Sequence, residues 1–312
     1  MLQAGFTQTK IAQTIGKHKS TISREIARNS DRRSGKYKCE QAQRKAEQRQ
    51  HDKPHCRRLD DNAKSLINSL LCEEEWSPEQ ISHRLRLEGV DMVSHETIYQ
   101  YIYADKRHKG LLFTHLRHKG RKYRHRKSEY AYRGIIPGRV DVDERPGIVD
   151  EKKRFGDLEI DTMIGKNKRG AILTINDRAT SLTWIHKLDG KAAIPLAETV
   201  SKLLAPFKNL IHTITADNGR EFTNHEDVER SLKINWYFCK PYHSWERGAN
   251  ENTNGLIRQY IPKKTDFGDV EQDFLSIIQN TLDNRPCKRL GWLSPIEMFN
   301  KLTNLDFVAL AT

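Results

Sequence analysis

From residue 154 onward, the hydrophobic pattern of this chain changes from a helical to a strand-like period. Short runs of alternating or β-branched residues are separated by turn-forming stretches such as "GKNKRG" and "DRATS". In chain order, the pattern predicts strands at 156–165, 170–180 and 181–188, a helix at 192–207, and strands at 211–219 and 233–240. A further helix is predicted after each of the last two strands.

Three strands in a meander, then helix, strand, helix, strand and helix, is the order of a ribonuclease H-like α/β fold of the integrase-core type, a mixed sheet with flanking helices. The chain before it has helical periods only, so the sequence predicts a multidomain protein. The expected parts are a helix-turn-helix at 1–30, a basic helical linker at 31–60, a second helix-turn-helix-like module at 61–110, a basic linker at 111–150 and the ribonuclease H-like core at 151–305.

The positive charge of the chain is concentrated in its first half. The net charge is +13, and residues 1–150 contain 31 Lys and Arg against 20 Asp and Glu, which leaves 23 against 21 for the other residues. A basic surplus of this kind predicts a polyanionic partner, usually nucleic acid. A ribosomal or histone-like protein would be basic throughout, so the nearly neutral second half indicates a domain with a different role.

The sequence has no feature of a secreted or membrane protein. Its five cysteines are widely spaced without a CxxC pair, and it contains neither a run of 18 apolar residues nor a signal segment at Met1. We expect reduced cysteines in a soluble intracellular protein, with no membrane partner and no small-molecule substrate.

The stretch 8–29 has the pattern of two short helices joined by a tight turn. Gly16 interrupts the helical period, and Ser20 stands where the N-cap of the second helix is expected. In a helix-turn-helix the start of the second helix enters the major groove. The residues expected at DNA are Lys17, Lys19, Ser20, Thr21, Ser23 and Arg24, with the two lysines at phosphates. An ordinary helical hairpin with a solvated basic face is the alternative.

A second unit of the same design occupies residues 76–103. Ser77, Pro78 and Gln80 form a capping-box pattern, Gly89 ends that helix, and Ser94 caps the next. A helical bundle without DNA contact is the alternative. The stretch "RHKGRKYRHRK" at 117–127 holds seven basic residues and no acid, and we expect a linker that lies against phosphates if DNA passes there.

Three carboxylates come from separate elements of the predicted sheet domain. Asp161 lies in the first strand, Asp217 at the C-terminal end of the fourth, and Glu251 at the start of the helix after the fifth. Ligands gather at the carboxyl ends of strands in open α/β sheets. Three carboxylates brought to one such end can hold two divalent cations for phosphoryl transfer on nucleic acid, and Mg²⁺ suits oxygen ligands.

Each of these acids also has a purely structural interpretation. Asp217 precedes Asn218 and Gly219, a sequence typical of a turn. Asp161 shares strand parity with Asp157 and Glu159, and such a row of acids is usually a solvated face. Parity alone does not choose among the three. Glu251 could simply be an acid favoured by the helix dipole in a first turn, so only the combination favours the functional interpretation.

Six motifs resemble the insertion-sequence-30 family of bacterial DDE transposases, and together they cover nearly the whole chain. They are "HKSTISREI", "WSPEQIS", "GDLEIDTMIG", "TADNGREF", "YHSWERGANENTNGLIRQYIPK" and "LDNRPCKRLGW". The family's metal-binding triad is the Asp of E-x-D-T, the Asp of DNGxEF and the Glu of NENxNG, which match Asp161, Asp217 and Glu251. The family leaves 33 residues between the last two, and residues 218–250 number 33 here.

The resemblance implies a transposase that binds the terminal inverted repeats of an insertion sequence and catalyses metal-dependent strand cleavage and strand transfer. The implied cofactor is Mg²⁺, with Mn²⁺ as a substitute. The implied partners are double-stranded DNA, as terminal repeats and as target, and further copies of the chain in a homo-oligomer. The implied location is the bacterial cytoplasm, at the nucleoid when DNA is bound.

Two alternatives to an active transposase stay open from the sequence. Members of the family usually have another helix before the stretch that begins "MLQAGFTQ", so the first module is expected to start incomplete and to be marginally stable. A DNA-binding remnant or regulator without catalytic activity is therefore one alternative. A structure-specific nuclease with the same metal core is a weaker one.

The residues around Glu251 are expected to divide by helix face. In a helix that starts near Gly248, Glu251 and Arg258 lie on the side opposite the apolar stripe, which would place Arg258 near a DNA phosphate. Glu246 precedes this helix and is assigned to a supporting turn. Near the C-terminus, Arg285, Lys288 and Arg289 are expected in a solvated basic turn, with DNA contact as the alternative.

Overall fold

The computed structural model describes residues 1–31, 33–52, 59–117, 136–188, 190, 192–240, 248–307 and 309. By internal contacts the chain divides into two compact units, Met1–Arg58 and Leu59–Thr312. Most of the basic stretch 117–127, and the turn that contains Glu246, lie outside the described residues. Within the described part, no helix is long and apolar enough to cross a membrane.

The first unit contains α1 (Gln8–Thr14), α2 (Lys19–Asn29) and α3 (Cys39–His51). Gly16 has a φ of +63° in the turn between α1 and α2, a conformation that glycine adopts without strain. The predicted N-cap of α2 is wrong by two residues. His18 caps this helix, and its Nδ1 accepts a hydrogen bond from the Ser20 N–H at 3.3 Å.

The hydrophobic cluster of the first unit is small. Ile11, Ala12 and Ile22 are buried and Ile26 packs against them, whereas Ile15 is 50% exposed. Few apolar side chains therefore stabilise α1 and α2, because burial of apolar surface is the main favourable term in folding.

The second unit begins with α4 (Asp61–Cys72), α5 (Pro78–Leu87) and α6 (His95–Arg107). The predicted capping is confirmed, since Ser77 and Gln80 form a capping box at α5 and Ser94 caps α6. Gly89 follows α5 with a φ of +79°. These helices share a core in which five side chains are fully buried: Ile67, Leu71, Ile81, Ile98 and Ile102. We call residues 59–117 the second helical module.

The sheet has five strands in the described residues: β1 (Asp157–Ile164), β2 (Ala171–Asp177), β3 (Thr183–Leu188), β4 (Thr213–Ala216) and β5 (Asn235–Phe238). Their spatial order is β3-β2-β1-β4-β5. The pairs β1–β2 and β2–β3 are antiparallel, and β1–β4 and β4–β5 are parallel. This is the mixed sheet of a ribonuclease H-like fold, and each strand lies within the range predicted for it.

Helices cover both faces of the sheet. The helices are α7 (Ile148–Glu151), α8 (Ala193–Leu204), α9 (His225–Leu232), α10 (Gly248–Tyr260), α11 (Gln272–Asn284) and α12 (Pro295–Thr303). Leu158 and Ile160 of β1 belong to the larger core with α8 and α9, while Met163 belongs to a second core with α10 and α11. Odd-numbered side chains of β1 therefore face α10, because successive side chains alternate between the faces of a strand.

Candidate active site

The pairing of β1 with β4 brings two of the predicted acids to the same level. Glu159 is paired with Thr215 in the parallel register. Continued by two residues, this register puts Asp161 beside Asp217, which directly follows β4. Adjacent strands lie about 4.8 Å apart. Both acids are partly buried, at an end of the sheet that solvent reaches.

Polar side chains hold α10 against β1 and β2. The carboxylate of Glu159 accepts hydrogen bonds from the backbone N–H groups of Ala249 and Asn250, each at 3.2 Å. A carboxylate at this place satisfies amides that a helix N-terminus leaves without partners. The fully buried Asn250 also accepts a hydrogen bond from Asn176 of β2. The start of α10 therefore has a defined position over the sheet.

Asn254 connects α10 directly to Asp161. Its Nδ2 donates to Asp161 Oδ2 at 2.9 Å, and its Oδ1 accepts from the Thr174 hydroxyl at 3.1 Å. Glu251 precedes Asn254 by three residues, and Cβ atoms at this spacing are about 5–6 Å apart on a helix surface. Glu251 is exposed. The fold thus brings the third predicted acid next to the side chain that binds the first.

The other flank of α10 faces away from this cluster. Ala249, Asn252, Thr253 and Leu256 line a pocket with residues of β3 and of the segment after α11. Glu251 lies on the opposite flank at 100° per residue, which is the side of β1 and β4. All three predicted acids therefore belong to one side of α10.

The acids of β1 differ in their surroundings, which parity did not reveal. Asp157 and Glu159 are each only 1% exposed. Asp157 accepts two hydrogen bonds from Arg154 at 2.8 and 2.9 Å, and Glu159 accepts one from Arg178 at 2.8 Å. The row of acids is therefore not a solvated face. Its first two members are buried carboxylates that pair with arginines, and Asp161 is the member at the open end.

Asp217 stands in a turn that side chains from other segments fix. Its Oδ1 accepts from the Gly219 N–H at 2.8 Å, so the turn chemistry expected for Asp-Asn-Gly is present. Asn218 is 7% exposed; its Nδ2 donates to the Cys239 carbonyl at 2.6 Å, and its Oδ1 accepts from Arg139 at 2.8 Å. The turn chemistry at Asp217 is therefore present, and it does not exclude the predicted role of this residue as a site acid.

A fourth acid, Glu221, lies beside this turn and was not among the predicted site residues. Its Oε1 accepts from the Thr162 hydroxyl at 2.7 Å. A Cβ placed on Gly219 would lie 2.5 Å from Glu221 Oε2 and 2.8 Å from Asp217 Oδ1, so both carboxylates approach the same point. The signal that could have identified it is the spacing in "DNGREF", because a short turn after β4 returns Glu221 toward the strand end.

The donor set of the site consists of carboxylate oxygens with amide and hydroxyl groups around them. Oxygen ligands suit a hard divalent cation such as Mg²⁺. In the described residues, however, no three His, Cys, Asp or Glu side chains converge closely enough to form a metal-ligand group. The chemistry of these side chains, and their positions along the chain, fit such an ion. In this structure the carboxylates of Asp161 and Asp217 accept hydrogen bonds from protein groups.

A basic depression lies beside the end of β1 and the end of α10. Its lining is Ile164, Gly165, Lys166, Asn167, Arg258, Lys263 and Lys264. The Arg258 guanidinium lies 5.2 Å from the centre of the Phe267 ring and donates to the Pro262 carbonyl at 3.4 Å. Burial lowers the pKa of Arg258 below its ordinary value. Four cationic side chains therefore surround this depression, three residues along β1 from Asp161.

The DNA-contact residues predicted in the first unit are at its surface. In α2 and the turn before it, Lys17, Lys19, Thr21, Ser23 and Arg24 are exposed and Ser20 is partly buried. Arg24 donates to the Ser20 hydroxyl at 3.3 Å. The start of α2 thus presents polar and basic side chains to solvent, as a helix that reads DNA requires.

The expected solvated basic turn near the C-terminus is wrong for Arg285, whereas Lys288 and Arg289 are exposed as expected. Arg285 is 6% exposed and donates to the Tyr260 hydroxyl at 2.8 Å. Arg289 donates to the Ala179 carbonyl at 3.0 Å and to the Ser181 hydroxyl at 2.7 Å. Both residues tie segments of the fold together, which the local sequence did not indicate because their partners are far away in the chain.

Comparison with known families identifies DNA-binding helices in the first part of the chain. The family described as a helix-turn-helix domain matches residues 1–29, and the family described as a homeodomain-like domain matches residues 21–102. Among solved structures, the catalytic core domain of BIV integrase is 20% identical and covers 47% of this chain and 95% of that one, with a TM-score of 0.38.

Two relatives match over nearly the whole chain. The transposase for insertion sequence element IS4351 of Bacteroides fragilis is 58% identical over 312 residues, which cover 100% of this chain and 95% of the relative. The transposase InsI for insertion sequence element IS30A of Escherichia coli (strain K12) is 35% identical over 314 residues, which cover 96% of this chain and 80% of the relative. The similarity thus includes the helical modules and the sheet.

Proposed function

This chain belongs to the insertion-sequence-30 family of transposases, and we propose that Asp161, Asp217 and Glu251 are the carboxylates with which it cuts and joins DNA strands. As a DNA transposase it is a polynucleotidyl transferase that binds DNA through helix-turn-helix segments. The observation that carries the residue assignment is the hydrogen bond from Asn254 to Asp161. It joins the strand that carries one acid to the helix that carries another, beside the end of β4.

In this proposal, the protein side chains at the site have different roles. Asp161 and Asp217 present carboxylates from neighbouring strands, and Glu251 adds one from the first turn of α10. Asn254 orients Asp161, and Glu159 holds the N-terminus of α10. A scaffold of this kind acts by positioning reactants, and a misplacement of 1 Å can cost about 10²-fold in rate.

Divalent metal ions, Mg²⁺ or Mn²⁺, would be held by Asp161, Asp217 and Glu251, and when bound they supply Lewis-acid activation of the attacking oxygen and charge stabilisation of the leaving oxygen. Glu221 contributes negative charge beside Asp217. Thr162 holds the Glu221 carboxylate in place through its hydroxyl.

The substrate strand is expected to cross the basic depression before it reaches the acids. Lys166, Lys263 and Lys264 line this depression with Arg258. Lysine contacts to phosphates release counterions, so binding should weaken as salt concentration rises. Arg258 remains part of this proposal as a phosphate contact.

Two element ends have to be held together for transposition, so a homo-oligomer is also part of the proposal. Size-exclusion chromatography with light scattering, with and without DNA ends, measures it directly. The alternative of an inactive remnant or regulator is not favoured, because similarity to transposases extends over the whole chain.

The test uses labelled duplexes that carry the terminal inverted repeats of the element that encodes this chain, with Mg²⁺ or Mn²⁺. We expect nicked and joined products from the unchanged protein, and their loss in Asp161→Asn, Asp217→Asn and Glu251→Gln. Gel-shift binding of the same duplex should persist in all three variants. Binding without cleavage by the unchanged protein would favour the regulator, and cleavage without joining would favour the nuclease.

A further inference from the structure

Helix α5 of the second helical module makes contacts on two sides. Ile81, Ser82 and Leu85 face the core of their own module. The other side contacts the segment between α11 and α12, together with the first turn of α12, about 200 residues later in the chain. We call residues 285–297 the docking segment. Because α5 contacts both, it links its own module to the docking segment.

The strongest contact is a two-pronged ion pair. Arg84 donates from Nη1 and Nη2 to the two carboxylate oxygens of Glu297, each at 2.6 Å, and from Nη1 to the Trp292 carbonyl at 3.1 Å. The Arg84 side chain is 15% exposed. The hydrogen bond from Arg84 lowers the pKa of Glu297 below its ordinary value. Paired bonds between a guanidinium and a carboxylate are directional as well as strong.

Both helices at this contact use the side chain that completes their own cap. Glu297 accepts from the Ser294 N–H at 2.7 Å at the start of α12 and also binds Arg84. Gln80 accepts from the Ser77 N–H at 2.8 Å at the start of α5 and donates its Nε2 to the Pro286 carbonyl at 2.6 Å. The caps fix these side chains before the two parts meet, so docking orders few additional groups.

Ring and charge contacts extend the same surface. The His83 ring stacks on Trp292, with centroids 4.5 Å apart and planes 4° from parallel. Lys288 pairs with Glu79 at 2.6 Å. These contacts add a charge pair and a stacked pair of rings to the surface that Arg84 and Gln80 form on α5.

The docking segment is in turn connected to the helix of the proposed catalytic acid. Arg285 donates to the hydroxyl of Tyr260, the last residue of α10, at 2.8 Å, and lies 3.6 Å from Glu75 of the second helical module. A Cβ on Gly255 of α10 would lie 3.1 Å from Arg117 Nη2, at the end of that module. Arg285 therefore connects α10 to the second helical module, and Arg117 of that module lies close to α10.

Among the described residues, no contact of this kind occupies the outer side of helix α6. Ile98 and Ile102 are buried in the module, while His95, Gln100, Tyr103 and Arg107 are exposed. In a helix-turn-helix the second helix is the one that enters the DNA groove. The first helix, α5, is committed to the catalytic core instead of the DNA backbone.

From these contacts we infer that docking of α5 onto residues 285–297 makes the second helical module a fixed part of the catalytic core and sets the DNA position that reaches the active site. Double-stranded DNA bound by α6 is then held in one fixed position relative to Asp161, Asp217 and Glu251, and we call this relative position the offset. Arg84 and Glu297 are positioning residues for this offset. Only the cleavage readout of this inference rests on the proposed function. The docking contacts also predict how much of the DNA the chain covers.

The experiment compares Arg84→Glu, Glu297→Arg and the double variant with the unchanged full-length chain, on the terminal-repeat duplex described above. Hydroxyl-radical footprinting is the first readout and needs no cleavage. The position and rate of strand cleavage is the second. In each single variant we expect protection at the active-site end of the footprint to be lost and cleavage to fall by about 10²-fold or to scatter over several positions, as misplacement of reactants predicts. The double variant should restore both.

Two matched controls separate docking from stability. Asp60→Ala removes the N-cap of α4, a helix that makes none of the docking contacts described above, and Lys64→Glu reverses a charge whose partner, Asp61, is in the same helix. Both controls should keep the footprint and the cleavage position of the unchanged chain. Single variants that keep them too would overturn the inference, as would a double variant that stays as defective as the single ones. If the unchanged chain footprints the duplex but does not cut it, the proposed catalysis fails, while the footprints still decide the docking.

Discussion

Exchange of Glu159 for glutamine should lower the stability of the catalytic core, whereas Asp161→Asn should abolish chemistry at nearly unchanged stability. Both exchanges replace an acid of β1 by its isosteric amide, at positions two residues apart on the same face. The surroundings of the two acids predict the difference. Glu159 is 1% exposed and joined to Arg178, whose side chain is 5% exposed, while Asp161 lies at the open end of the row.

The size of the effect follows from the buried ion pair. Loss of one partner of such a pair costs about 3–5 kcal/mol, mainly because the other charge stays buried. Asp150 lies 3.0 Å from Arg178 and compensates part of its charge, so we expect the lower end, about 3 kcal/mol. For a domain of this size that corresponds to a melting temperature lower by roughly 6–12 °C. For Asp161→Asn we expect less than about 1 kcal/mol, since the amide oxygen can still accept from Asn254.

Thermal unfolding by circular dichroism and cleavage of the terminal-repeat duplex, at a temperature below every melting midpoint, measure the two effects separately. Asp161→Asn should lose cleavage by on the order of 10⁴-fold, as single carboxylates do in other catalytic sets. Asp273→Asn, an exposed acid of α11, is the matched control and should change neither quantity. The assignment of roles is refuted if Glu159→Gln melts like the unchanged chain yet does not cut, or if Asp161→Asn cuts normally.

Three further predictions concern other parts of the chain. Gly219→Ala should reduce cleavage more than stability, because the new methyl group would meet the carboxylates of Asp217 and Glu221; normal cleavage rates would contradict this close approach. Burial raises the pKa of Asp283 well above its ordinary value, so its stabilising contribution is complete below the unfolded-state pKa of about 3.9 and is lost as pH rises through the folded-state pKa. The melting temperature of Asp283→Asn relative to that of the unchanged chain should therefore rise as the pH increases above about 4, and a difference that stays constant with pH would speak against this. In hydrogen exchange on the full chain, amides of α1 and α2 should exchange faster than those of α4 to α6, since their buried cluster is small; equal protection would show that the first unit is better packed than it looks.

Much of the fold was predictable because it depends on local patterns. The change of period at residue 154 located the strands of the sheet, and the capping box located the start of α5. The N-cap of α2 was misplaced because a histidine, which is not a usual cap, accepts the first amide bond. Local signals of this kind carry information only about neighbours in the sequence.

The candidate site was predictable in its residue types and less so in its contacts. Asp161, Asp217 and Glu251 came from their elements and from the family resemblance, and their assignment as the catalytic set remains a prediction. Glu221 was missed, since its approach to Asp217 depends on the path of the turn after β4. Arg285 was taken for a solvated residue although it is buried against Tyr260.

The sequence by itself determined the strand and helix order, the helix caps and the presence of acids at three places in that order. Periodicity and capping are short-range properties, so one sequence is enough to read them. Only the tertiary structure decided which acid of β1 is at the open end and that α5 docks on the core. Those outcomes depend on pairs such as Arg84 with Glu297 and Asn254 with Asp161, which are far apart in the chain. Whether a charged side chain has a compensating partner depends on its neighbours in space. Local sequence patterns carry no information about those neighbours.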